Sequence, residues 1–145
     1  MHELKRIQGT RIVATPTALD SARWPDDALT LRLAADEIFV TTTVTADRID
    51  DPHAIVAPDG GFAGLWLSTP EALDFLERTC EWELPHARPA FAQGMVAGLP
   101  VKLWLEEEKI LFVVAAPYAD ELAERMALRA DCQSHKLGKK QNSRT

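Results

Sequence analysis

The stretch His53–Leu84, HAIVAPDGGFAGLWLSTPEALDFLERTCEWEL, decides how the rest of the chain is read. It predicts an extended segment, a turn at Asp59-Gly60-Gly61, a strand over Ala63–Leu67 and a helix opening at Ser68-Thr69-Pro70-Glu71. The helix start is well signalled. Ser68 or Thr69 can accept an orphan backbone N–H, the proline sits where its missing N–H costs least, and Glu71 stands three residues after Ser68 as in a capping box. The same stretch contains no nucleophile set, metal set or phosphate loop. Asp59-Gly60-Gly61 lacks the glycine spacing of a dinucleotide or Walker loop and leads into a strand, so hairpin chemistry accounts for it.

Outward from that stretch, Leu29, Leu31 and Leu33 alternate with polar residues and Ile38–Thr45 is β-branched, which predicts a hairpin turning at Ala34–Glu37. Arg11–Ala14 predicts a short strand, Thr15–Ala22 a helix, and Trp24-Pro25-Asp26-Asp27 a turn. Downstream, Trp82–Pro89 is a proline-broken connection, and Phe91–Ala97 leads into Gly98-Leu99-Pro100. Val101–Leu105 and the apolar Ile110–Ala116 then pair across a Glu106-Glu107-Glu108-Lys109 tip, whose glutamates are expected to serve solubility. Ala119, Leu122, Ala123, Met126 and Ala130 recur at helical spacing. The expectation is an α+β fold, a mainly antiparallel sheet with helices packed on one face in a ferredoxin-like arrangement. Its domain plan is a flexible N-terminus over 1–9, a single α+β domain over 10–131 and a basic, disordered tail over 132–145.

The 145 residues carry a formal charge of −6, with 46% hydrophobic and 26% charged residues, the profile of a globular chain that buries a core. Residues 135–145 hold Lys136, Lys139, Lys140 and Arg144 without an acid, a local +4 that leaves −10 on residues 1–134. An acidic body lacks the basic footprint that nucleic acid requires. The sequence shows neither a membrane-length apolar run nor a secretory leader, so a cytoplasmic location is expected.

Candidate chemistry is sparse. Cys80, His86, Cys132 and His135 are zinc-type donors, but Cys132-x-x-His135 has no second closely spaced pair. A Cys80–His86 nucleophilic couple needs an exposed thiolate, whereas Cys80 is expected to be buried at the end of the central helix. Asp47, Asp50 and Asp51 lack the ligand pattern of a calcium loop, and Thr41-Thr42-Thr43 suits a strand better than a ligand site. No catalytic residue and no metal ligand is therefore assigned, and no cofactor-binding residue is identified. The four tryptophans, Trp24, Trp66, Trp82 and Trp104, are many for this length, and one or two are candidates for a partner-facing surface.

The segment LRLAADEIFV is similar to the strand–turn–strand of the gamma subunit of heterotetrameric sarcosine oxidase and its relatives in the folate-binding glycine-cleavage T-protein superfamily. Gly64-Leu65-Trp66-Leu67-Ser68-Thr69-Pro70-Glu71-Ala72 resembles the strand-to-helix step of that superfamily, and LDFLERTCEWEL, AGLPVKLW and ILFVVAAPYADELAERM resemble its later elements. The likeness spans about Leu29 to Met126. The chain departs from it at Thr69, where relatives carry glycine, in having no Lys-Gly-Cys signature, and in being far shorter than a full T-protein. The resemblance implies a non-catalytic accessory subunit of a sarcosine-oxidase-like, folate-linked amine-oxidising complex, beside a larger flavoprotein subunit. By that reading the chain binds no cofactor alone, tetrahydrofolate lies at a site shared within the complex, and an isolated chain could self-associate. The alternatives are a stand-alone folate- or pterin-like binding domain and a generic interaction module.

Overall fold

Seven strands are described, of which β6 (Leu99–Leu105) alternates buried and partly exposed side chains while β7 (Lys109–Ala115) is buried almost throughout. The computed structural model describes residues 3–128. Its elements are β1 (Lys5–Val13), α1 (Pro16–Ser21), β2 (Thr30–Ala34), β3 (Glu37–Val40), β4 (Ile55–Ser68), α2 (Thr69–Thr79), β5 (Ala90–Val96), β6 (Leu99–Leu105) and β7 (Lys109–Ala115). A further helix, α3, is described over 119–128. Hydrogen-bonded neighbours run β2-β3-β1-β4-β7-β6-β5, and the β1/β3, β2/β3, β5/β6 and β6/β7 pairs are antiparallel. The class is α+β with a mainly antiparallel sheet, as the sequence predicts. The expected tail over 132–145, with Cys132 and His135, lies outside the described residues.

The described chain divides into two compact units, residues 6–63 and residues 64–128 with 3–5. In residues 6–63 the order β4-β1-β3-β2, threaded β1–α1–β2–β3–β4, is ferredoxin-like, with a 3-10 turn at Ala46–Arg48 where that arrangement has its second helix. Ile12, Ala14, Ala18, Leu19, Ile38 and Val40 form its buried cluster, with Trp24 packed against them. Helix α1 starts because the Thr15 side chain accepts from Ala18 N and proline follows at the first helical position. Thr10 is 2% exposed and satisfied twice, donating to Thr42 O at 2.9 Å and accepting from Val44 N at 3.1 Å. Thr41, considered above as a ligand contact, instead accepts from Leu29 N at 2.8 Å and holds the mouth of the β2–β3 hairpin.

The 1–9 segment, expected to be flexible, contributes residues 5–9 to β1. Gly9 explains the strand's path. A Cβ placed there would lie 2.3 Å from Val40 O and 2.5 Å from the Phe39 ring, so only glycine lets the two backbones approach.

Residues 64–128 build the other core. Ala72, Phe75 and Leu76 of α2 and Leu122 and Met126 of α3 share one cluster with Val101, Leu103 and Leu105 of β6 and Ile110, Phe112 and Val114 of β7. Those strand residues alternate, so both helices cover one face. Helix α2 begins as expected, with the Ser68 hydroxyl accepting from Glu71 N at 3.4 Å and proline following. Its first turn is also tied by Thr69 N donating to Glu108 O at 2.9 Å. The acidic tip thus works through a backbone carbonyl.

The largest departure from expectation is at Asp59-Gly60-Gly61. No turn forms there, because β4 runs unbroken for 14 residues. Arg11 Nε donates to Asp59 Oδ2 at 2.9 Å, Gly61 N donates to Asp59 Oδ1 at 2.7 Å, and neither glycine has the positive φ that a tight hairpin demands. One strand beyond those expected, β5, completes the sheet. Gly9→Ala is expected to destabilise the protein by about 1–3 kcal/mol through overpacking, and Ser68→Ala by about 1 kcal/mol through loss of the cap. Urea unfolding that ranks Ser68→Ala as the more damaging would contradict the tight β1–β3 contact.

Candidate functional site

Among the described residues, Cys80, Asp47 and Asp51, singled out for chemistry, are engaged in local structure. Cys80 caps the C-terminus of α2, its thiol donating to Trp82 O at 3.4 Å and its backbone N–H donating to Leu76 O. Burial pushes its thiol pKa up, outweighing the opposing effect of the hydrogen bond to Trp82, which is the reverse of what an activated nucleophile requires. His86 is exposed and bonds Glu83 at 3.2 Å instead. Among the described residues no group of three or more His, Cys, Asp or Glu side chains is placed to hold a metal ion.

Two acids of the 46–52 loop, Asp47 and Asp51, act as hydrogen-bond acceptors within the chain. Asp51 accepts from His53 N at 2.9 Å and from Thr15 N at 3.0 Å, and these bonds hold its carboxyl below the ordinary range. Asp47 accepts from the Thr45 hydroxyl and is likewise lowered, chiefly by that bond. Each is held by hydrogen bonds that a metal ion would have to break.

What the structure does bring together lies around the end of α2. Val96 pairs with Leu99 across a two-residue turn in which Ala97 and Gly98 have φ of 52° and 79°, the left-handed pair of a type I′ hairpin. Ala97 N donates to Thr79 O at 2.9 Å, while Arg125 donates to Ala97 O and pairs with Glu121. Trp82 Nε1 donates to Met95 O at 2.9 Å and the indole lies against Gly94, where a Cβ would come within 2.6 Å of the ring. Thr79, Glu81, Trp82, Met95 and Gly98 then line an open cleft of about 450 Å³.

The chemistry of this cleft follows from its walls. Glu81 and the negative end of the α2 dipole favour a cation or a hydrogen-bond donor. Trp82 and Met95, the latter 54% exposed, offer a polarisable apolar surface. The sequence reading noted Trp82 but did not connect it with Met95, because their meeting requires the chain between them to fold back.

An exposed aromatic stands on β4. Trp66 is 37% exposed and Lys109 Nζ lies 4.2 Å from its ring centroid, whereas Trp104 Nε1 is engaged with Glu106 Oε2 at 3.3 Å. Arg11, not flagged by sequence, bridges Asp59 and Glu37 at 2.9 and 3.0 Å with its guanidinium carbon 5.3 Å from the Phe62 centroid. Its role is to organise β4. No family model and no curated protein matches this chain.

The lowered carboxyl of Asp51 gives a pH signature of known sign. A depressed folded pKa contributes stability above the unfolded value of 3.8 that is lost as pH falls through the folded value. Urea midpoints measured from pH 5 downward should therefore fall less steeply for Asp51→Ala than for the unaltered chain, and parallel curves would remove Asp51 from this role. Alkylation of Cys80 in a Cys132→Ser background should be slow at neutral pH and accelerate only above the ordinary thiol range. Rapid modification at pH 7 would show the thiol to be activated.

Proposed function

We propose that this chain is a non-catalytic accessory subunit of a sarcosine-oxidase-like, folate-linked amine-oxidising complex, docked on a larger flavoprotein subunit. The observation that carries the partner-binding part is Trp66, displayed on β4 with the Lys109 ammonium over its face. An exposed tryptophan with an adjoining cation is of the kind that anchors protein interfaces. The identity of the complex is supported by the sequence resemblance over Leu29 to Met126. In this reading flavin and folate chemistry belong to the partner chains, and this subunit contributes surface.

The cleft beside α2 favours one alternative, a stand-alone folate- or pterin-like binding domain. A pterin presents an amino-pyrimidinone edge rich in N–H donors and a flat ring face. Glu81 is suited to accept from that edge and Trp82 to lie against that face.

Purification of the full chain from its own host, with absorbance scanning of the eluate, separates the two. The accessory reading expects a stoichiometric flavoprotein partner, and Trp66→Ala should weaken that association by about 30-fold or more, the scale of a hot-spot truncation. A colourless preparation without partner overturns it. Saturable quenching of tryptophan emission by reduced folates, lost in Trp82→Leu, would then establish the alternative.

A further inference from the structure

The ends of two helices meet at one residue. Ala97 N donates to Thr79 O at the end of α2, and Ala97 O accepts from Arg125 in the last turn of α3. The cleft lined by Thr79, Glu81, Trp82, Met95 and Gly98 opens at this meeting point. The last carbonyls of a helix carry partial negative charge, so two such ends beside one cleft favour a cation there. Arg125 answers part of that field, but it is already paired with Glu121. Glu81 is exposed, and among the described residues no ion pair engages it.

We propose that this cleft is the docking site of the chain's own basic C-terminal segment, residues 135–145, which sets a lysine ammonium between the Glu81 carboxylate and the Trp82 ring. Charge selects that occupant. The segment carries Lys136, Lys139, Lys140 and Arg144 without an acid, while residues 1–134 carry −10, and in sequence Trp82 stands between Glu81 and Glu83. Its point of departure agrees. Helix α3 is described to Leu128, three residues or about 4.5 Å of helix beyond Arg125, so the chain that follows starts beside the cleft. Lys136 stands eight residues after Leu128, a reach of up to about 26 Å, enough to bring its ammonium to Glu81.

The chemistry of the contact is one this fold uses elsewhere, where Lys109 Nζ lies 4.2 Å from the Trp66 ring centroid. A tethered cation is presented at an effective concentration on the order of millimolar, so individually weak contacts suffice. The segment also competes for Glu81 with the amino-pyrimidinone edge of a pterin. The inference does not rest on a flavoprotein partner, whose assigned surface is Trp66 on β4.

Carbodiimide coupling of the full chain at low micromolar concentration, followed by peptide mapping, tests the proposal, because it joins a carboxylate to an amine only where the two meet. The expected product is an amide between Glu81 and Lys136, Lys139 or Lys140 of the same chain. Trp82→Leu should lower its yield about two- to fivefold and Trp82→Phe restore it, the scale of one cation–aromatic contact. A mixture of 15N-labelled and unlabelled chain should give no mixed-isotope amide. Mixed products would seat the segment on a second copy and overturn the proposal. So would an absence of coupling at Glu81, a yield indifferent to Trp82→Leu, or coupling that favours the Glu106-Glu107-Glu108 tip, which the seven residues of β6 separate from Ala97 and Gly98 by about 20 Å.

Discussion

The extension of β4 through Pro58-Asp59-Gly60-Gly61 is the constraint on which the rest depends. Fourteen residues of strand reach about 46 Å, and along them the chain neighbours β1 and β7. The residues in the middle are poor strand formers. They remain extended because Asp59 is held at 2.9 Å by Arg11 and itself accepts from Gly61 N. Those bonds direct the path of the chain more than they stabilise it. Each Arg11 pair is partly exposed and contributes less than about 1 kcal/mol.

Stability comes from elsewhere. Full burial of a side chain such as Phe112 or Leu103 contributes about 1.5–3 kcal/mol, and each unit has its own set of such residues. Polar contacts decide register within that frame. Thr10 joins Thr42 and Val44, Thr41 closes the β2–β3 hairpin, and the backbone of the acidic tip anchors the start of α2. Groups that suggest chemistry in isolation are already engaged: Cys80 in a helix cap, Asp51 with two backbone N–H groups, His86 with Glu83. Trp66 and Met95 are among the large apolar side chains left exposed, and the proposals of a partner at Trp66 and a ligand at Trp82 draw on them.

What the sequence determined by itself is local. The α+β class, the Ser68 cap and Pro70 of α2, the Thr15 start of α1, the Leu31–Phe39 hairpin and the apolar β7 all depend on neighbours within a few residues, so period and capping chemistry suffice to read them. Tertiary structure decided the rest. Pro58-Asp59-Gly60-Gly61 spells a turn by composition, and it is pairing with β1, to which Arg11 ties Asp59 from 48 residues away, that keeps it a strand. Gly9 looks like a breaker until Phe39 and Val40 are set against it. Trp82, Met95 and Gly98 form a cleft only because a hairpin with two positive-φ residues folds back on the end of α2. The reason is common to all three: a residue's intrinsic preference amounts to about 1 kcal/mol or less, and one close backbone approach or buried contact made across the fold exceeds it.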